Sequence, residues 1–325
     1  MQFKTLLGVL APIFSKLTQS LTIFLIGGLI CFLFSFKSKI QGTHQHGFDA
    51  HTQKIFSEIY QFNFRSSDSL IKLLPENMNV NWKKMIRANY LWWKLMSGEE
   101  NNLELKRDFI KILNEVIKDL RKNDFSNDQD LYCLITAHAL KSRLNLMEGN
   151  YFKGLFNVDY AVSFIVKSLG KEKTNESFVI TSGLLYYFAE YSAMKYAFTK
   201  PYFRDVKEAG MAHGLAVLER GAFSTDNIVK TESNYFLVKL YQEVEHKYNR
   251  AIPHIKSLCL WYPKNILYWY QYFDCLISSK QKEEALKVMS KIYLLVNANN
   301  TLTNNQKLYF KNKATERLKD YYKNN

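Results

Sequence analysis

The sequence predicts an all-α chain of antiparallel helical hairpins, and three observations carry that expectation. Breakers are scarce: 325 residues hold 5 prolines and 13 glycines, too few for the frequent turns of a many-stranded β-fold. Apolar residues recur at helical spacing along most of the chain. The polar breaks between these stretches are short, and short links make consecutive helices antiparallel neighbours. Hydrophobic residues make up 47% of the chain, with 21 Tyr and 23 Phe, so a sizeable core is available and wholesale disorder is excluded.

The first element is an exception to amphipathic patterning. Leu17–Phe36, "LTQSLTIFLIGGLICFLFSF", is a run of twenty residues without a charge, preceded by Lys4 and Lys16 and followed by Lys37 and Lys39. A helix of that length spans roughly 30 Å, the hydrocarbon thickness of a bilayer. Its densest apolar part, Ile23 to Phe34, also suits the core of a secretory signal. No small-x-small cleavage pattern follows, and Cys31 lacks the small residues of a lipoprotein site. Residues 1–42 are therefore read as an export signal or an uncleaved signal anchor, which places the protein at a membrane or beyond it, in the periplasm if the source is bacterial. The Lys-, Asn-, Phe- and Tyr-rich composition suggests an AT-rich bacterial genome.

Beyond a polar linker (37–50), a helical stripe of Ile55, Phe56, Ile59, Tyr60 and Phe64 begins near Asp49. Ser66 offers a cap and Pro75 a stop. Residues 81–100 carry Trp82, Met85, Ile86, Tyr90, Trp93 and Met96 on one face and close at Gly98. Further helices are expected over 103–120, 131–147, 151–169 and 176–198, each ended by polar, Gly or Pro signals. The last set covers 202–219, 231–245, 249–261, 266–278, 282–296 and 303–322. The division follows as a helical-hairpin region over 43–230 and a repeat-bearing region with a capping helix over 231–325.

The repeat is a 34-residue period near the carboxyl end. Tyr235, Val238, Ala251, Ile255, Leu258 and Pro263 are matched by Trp269, Tyr272, Ala285, Met289, Ile292 and Asn297. A small residue lets two helix backbones approach, an aromatic fills the space beside it, and Pro263 ends one unit. Over 232–298 this resembles the tetratricopeptide repeat. That resemblance implies an α-solenoid, extended with looser register to the earlier hairpins. Two departures stand out: the helix-A glycine position holds Lys239 and Phe273, and the tyrosine position three further on holds Gln242 and Leu276. Pro253 also falls where the second helix of a unit should be regular. The resemblance further implies that first helices line a concave groove, at Phe236, Leu240, Glu243, Tyr270, Asp274 and Ile277, able to hold an extended peptide or glycan.

The formal charge is +14, from 44 Lys and Arg against 30 Asp and Glu. Because basic and acidic residues intermingle, a solvated helix surface is favoured over nucleic-acid binding. Cys133, Cys259 and Cys275 are isolated among apolar residues and read as buried thiols, with no disulfide framework. The His44, His46, Asp49 and His51 cluster has no second half to complete a metal shell, and Glu243 with His246 lacks the partner pair that a di-metal bundle needs. No GxSxG, HExxH, P-loop or GxGxxG motif occurs. No cofactor, metal or catalytic residue is expected. The function expected is a non-catalytic scaffold that holds a protein or polymer. The rival readings are an enzyme with a pocket around Asn89, Trp92 and Trp93, and an anchor whose basic face touches anionic lipid.

Overall fold

Among the described residues, asparagine starts helices more often than serine or threonine does. Its side-chain oxygen accepts a backbone N–H of the first turn, which otherwise lacks a partner. Asn79 accepts from Trp82 N (3.0 Å), Asn102 from Leu105 N (3.1 Å), Asn127 from Asp130 N (2.8 Å) and Asn265 from Tyr268 N (3.2 Å). Asp226 does the same for Ile228 and Val229. Thr303 and Gln306 form a reciprocal capping box, Gln306 N to Thr303 Oγ1 and Thr303 N to Gln306 Oε1.

The computed structural model describes residues 50–121, 127–196 and 206–323, together with Lys200, Phe203 and Arg204. Among them are thirteen α-helices and no strand. They are α1 (Ala50–Tyr60), α2 (Phe64–Lys72), α3 (Val80–Lys94), α4 (Leu103–Leu120), α5 (Asp128–Met147), α6 (Tyr151–Ser168), α7 (Val179–Lys195), α8 (Met211–Ala222), α9 (Asn227–Lys239), α10 (Tyr248–Trp261), α11 (Ile266–Ser278), α12 (Lys282–Ala298) and α13 (Asn304–Lys323). Each packs on its successor, so the all-α reading stands. The uncharged run 17–36 and the metal-cluster members His44, His46 and Asp49 lie outside the described residues. His51 lies inside them, with Nε2 3.2 Å from Leu70 O. No helix among the described residues is long and apolar enough to cross a membrane.

Some boundaries differ from those the pattern predicts. The stripe ending at Phe64 is two helices, because Phe62 takes a left-handed φ of 59° between α1 and α2. The helix expected over 202–219 begins only at Met211. The one expected over 231–245 begins earlier, at the Asp226 cap, and ends in a π turn, Leu240–Val244. Pro253 sits inside α10 without ending it; it removes the one N–H that would reach the Asn249 carbonyl in the helical ladder. The Pro263 turn is fastened from the next helix, since Trp269 Nε1 donates to the Pro263 carbonyl (2.9 Å).

Small residues stand where helices approach closely. Ala251 and Ala285 are fully buried. In the α5/α6 pair, Ser142 Oγ donates to the Gly154 carbonyl (2.7 Å). In the α7/α8 pair, a Cβ on Gly214 would lie 2.4 Å from the Gly183 carbonyl oxygen. Ser142 and Gly154 are twelve positions apart, as are Lys239 and Ala251, and Phe273 and Ala285.

The two ends of the described chain meet. Helix α1 packs on α9, and α13 packs on α11, α12 and the kinked turn Leu95–Glu99 that follows α3. Gln306 Nε2 donates to Ser97 Oγ (2.7 Å, buried). Asn265 Nδ2 donates to the Tyr60 carbonyl (2.8 Å). Gly98 has φ 98°, and a Cβ there would meet Tyr309 Cδ1 at 2.9 Å, so both backbone and neighbour demand glycine.

Gly214→Ala is expected to destabilise the fold by about 2 kcal/mol, because overpacking forces two helix backbones apart. Gly149→Ala, at a left-handed position (φ 74°) facing open space, should cost about 1 kcal/mol. Urea unfolding followed by circular dichroism checks the order. Equal losses would show that the α7/α8 crossing tolerates a methyl group.

Candidate functional site

Three stretches supply one charged cluster through helical spacing alone. On α11, Tyr270, Asp274 and Ser278 recur every four residues; on α13, Tyr309, Lys313 and Arg317 do the same. Such positions share a helix face, and α11 packs on α13. The stripes pair off: Lys313 Nζ lies 4.9 Å from the Tyr270 ring centroid and 5.1 Å from that of Tyr309. Arg317 Nε pairs with Asp274, and its terminal nitrogen donates to Ser278 Oγ (2.7 Å). From the α9 side, Lys239 is ion-paired with Glu243 and lies over the Tyr235 ring (5.8 Å), while Gln242 donates to Asp274.

Half-burial makes these charges interdependent. Lys313 is depressed below the ordinary lysine range, chiefly by burial and secondly by the like charge of Lys239. Burial, with the Asp274 carboxylate beside it, raises the Tyr270 phenol. Cations and carboxylates are interleaved, which holds each side chain in place without saturating the hydrogen-bonding capacity of the group.

Of the six residues expected to line a groove, Glu243, Tyr270 and Asp274 belong to this cluster and are half-buried. Phe236, Leu240 and Ile277 are buried in the hydrophobic core and face no solvent. Lys313 and Arg317 were not anticipated, since they lie on the capping helix outside the repeat. Lys239 and Gln242 were noticed only as departures from the repeat pattern. The signal that would have found the missing pair is the four-residue recurrence 309, 313, 317.

A second polar cluster is buried two turns back along α9 from Lys239. Tyr60 OH donates to Glu232 Oε1 (2.6 Å). The rings of Tyr262 and Tyr268 lie 5.2 and 6.2 Å from the rings of Tyr60 and Tyr262 respectively. Arg143 bonds the Tyr235 hydroxyl (3.4 Å) and lies over Trp92. Burial pushes the Glu232 carboxyl up to about 8 against the pull of the Tyr60 hydrogen bond and Arg143, so it is protonated at neutral pH. The Tyr268 hydroxyl, buried beside it, has no hydrogen-bond partner among the described residues.

Asn89, Trp92 and Trp93, which the rival enzyme reading places around a pocket, are all buried. Asn89 Nδ2 bonds back to Met85 O (2.7 Å), and Trp93 stands edge-on to Tyr60 (5.5 Å) and Tyr268 (5.9 Å). His138 is buried between α5 and α6, bonded to Asn157 Oδ1 and stacked on Tyr160; burial lowers its pKa to about 4. Cys133, Cys259 and Cys275 are buried free thiols; burial pushes Cys275 up to about 12, which leaves it inert as a nucleophile. Among the described residues no group of His, Cys, Asp and Glu has the geometry of a metal site.

No family model, no curated protein and no solved structure matches this chain. Its chemistry is therefore read from the residues themselves.

The Glu232 carboxyl makes a pH-dependent prediction. Its folded-state pKa of about 8 lies above the ordinary 4.5. The stability it permits is present in full below pH 4.5 and is lost as pH rises through about 8. Glu232→Gln keeps an acceptor for Tyr60 and cannot ionise. Its melting temperature should exceed that of the wild type by roughly 4 °C or more at pH 8.5, with a smaller gain at pH 5. A gain that does not vary with pH would place the titration elsewhere.

Proposed function

We propose that this chain is a non-catalytic binding scaffold, exported or membrane-anchored through residues 17–36, whose hairpins form a tetratricopeptide-like array. In this reading a protein or polymer partner is held at the half-buried cluster of Lys239, Glu243, Tyr270, Asp274, Lys313 and Arg317. The observation that carries it is convergence: side chains from α9 with its π turn, from α11 and from α13 meet with both signs of charge and two aromatic rings. Rings supply contact area at low entropic cost. Charges of both signs select a partner that can exchange ion pairs with them, an extended segment carrying its own polar and charged groups. The π turn Leu240–Val244 supports the reading, since such irregularities in helices concentrate at functional sites.

A photo-crosslinking residue at Glu243 in the full chain, expressed in its source cells, tests this. Discrete adducts are expected there and not at the exposed Leu73 on α2–α3 linker chain. Replacing Asp274 by Asn together with Arg317 by Gln, which removes one ion pair at nearly constant size, should lower adduct yield about tenfold, corresponding to roughly 1.4 kcal/mol of binding. The same adducts at both positions, or an unchanged yield in the double variant, would refute the site.

A further inference from the structure

The outward face of α10 and the turn after it are basic and locally apolar at once. Between His246 and Phe273 the sequence has no Asp or Glu, while Lys247, Arg250, Lys256 and Lys264 all fall in this stretch. Arg250, Lys256 and Lys264 are exposed. At the tip of the helix, Leu260 is 70% and Trp261 38% exposed. Lys230 on α9 lies over the Trp261 ring (4.9 Å) and adds a further cation there.

This tip is tied to the path of the chain from its amino-terminal segment. Gln61, at the end of α1, donates from Nε2 to the Trp261 carbonyl (3.0 Å) and accepts from Lys264 N (3.2 Å). At the other end of α1, Gln53 accepts from Asn227 Nδ2 (3.4 Å). Residues 37–49, which join the uncharged run to α1, reach at most about 45 Å when fully extended, and α1 itself adds about 16 Å. A bilayer holding residues 17–36 therefore lies within reach of Trp261 and Leu260.

We infer that the tip of α10, with Lys230, Lys256, Leu260, Trp261 and Lys264, docks on an anionic lipid surface. The inference rests on the reading of residues 17–36 as a membrane segment. An aromatic and a leucine set among lysines is the arrangement that enters a headgroup layer: the apolar groups insert, and the lysine stems extend their ammonium groups to the phosphates. An acidic protein would satisfy the lysines but has no comparable use for the bare Leu260 at the tip. The tether raises the local concentration of lipid, so a contact that is weak in isolation is populated when the chain is anchored. Surface lysines gain most from a leaflet bearing negative charge, and the gain falls with added salt.

The test uses the full chain in vesicles with an environment-sensitive fluorophore on Leu260→Cys. Cys31 is replaced by Ser, and the other three cysteines are buried. The control label is on Leu103→Cys, which starts α4 and is 73% exposed. On phosphatidylglycerol vesicles the label at 260 should shift to the blue and be quenched by nitroxide lipids. On phosphatidylcholine it should stay aqueous, and Lys256→Glu with Lys264→Glu should abolish the shift. A chain that floats with vesicles while the label stays aqueous overturns the docking and leaves the anchor standing. A chain that does not float overturns both. An equal shift at Leu103→Cys overturns the assignment to α10. Protection of the label by soluble polyglutamate, and not by anionic vesicles, gives the surface to an acidic protein and overturns the lipid.

Discussion

The packing of Trp93 is the constraint on which the rest of the structure depends. Its ring lies 5.5–6.2 Å from the rings of Tyr60, Phe62, Tyr235 and Tyr268, which come from α1, the turn after it, α9 and α11. Trp93 and Tyr235 are 142 positions apart in sequence. Closing a loop of that length costs on the order of 4 kcal/mol in chain entropy. Four aromatic pairs contribute roughly 2–6 kcal/mol beyond the area they bury, so the hub alone is of the size needed to offset closure. An array held only by neighbouring hairpins would need no such contact. Here the amino-terminal helices are fixed against the carboxyl-terminal ones. Gln306 on Ser97 and Tyr309 against Gly98 extend the same closure to α13.

That closure creates both polar clusters. Docking of Tyr60 removes Glu232 from water, and one hydrogen bond from a tyrosine does not replace the hydration of a carboxylate, so the group keeps its proton. Docking of α13 on α11 half-covers Asp274, but there Arg317 supplies a full opposite charge and Ser278 a further hydrogen bond to that arginine. The difference between the two carboxyls lies in the partner each receives. Glu232 is satisfied as a neutral acid inside the core, whereas Asp274 stays in contact with cations at the surface.

Much of the fold was legible because helical period and scarce breakers act locally. The caps were legible in principle too: Asn79, Asn102, Asn127 and Asn265 each precede an apolar run, and asparagine is as good an N-cap as serine. Phe62 was not legible, because a bulky residue at positive φ is held there by packing against Phe64, Trp93 and Phe310 and not by its own preference. The site was half legible for a related reason. The resemblance over 232–298 names positions inside a repeat, and three of them, Glu243, Tyr270 and Asp274, fall together in the half-buried cluster. It cannot find the surface that a non-repeating helix lays across them, so Lys313 and Arg317 were invisible to it. The same limit explains Phe236, Leu240 and Ile277, which are covered by core packing and not left open.

The departures from the repeat pattern acquire a physical reason from this covering helix. A glycine in place of Lys239 would leave Glu243 without its partner, and a tyrosine in place of Gln242 could not supply an amide to Asp274. Lys239 also lies close enough to Lys313 to lower the affinity of that amine for its proton. Lys239 and Arg317 are thus each ion-paired with an acid, Glu243 and Asp274 respectively, while Lys313 lies over the Tyr270 and Tyr309 rings. A ligand that engages Glu243 or Asp274 competes with the cation already paired there, so net affinity at those two acids comes from the difference between two similar interactions. Such a surface rewards geometric match over charge alone: a partner of the wrong spacing that displaces Arg317 leaves a half-buried Asp274 without its cation, at a cost larger than any single ion pair returns.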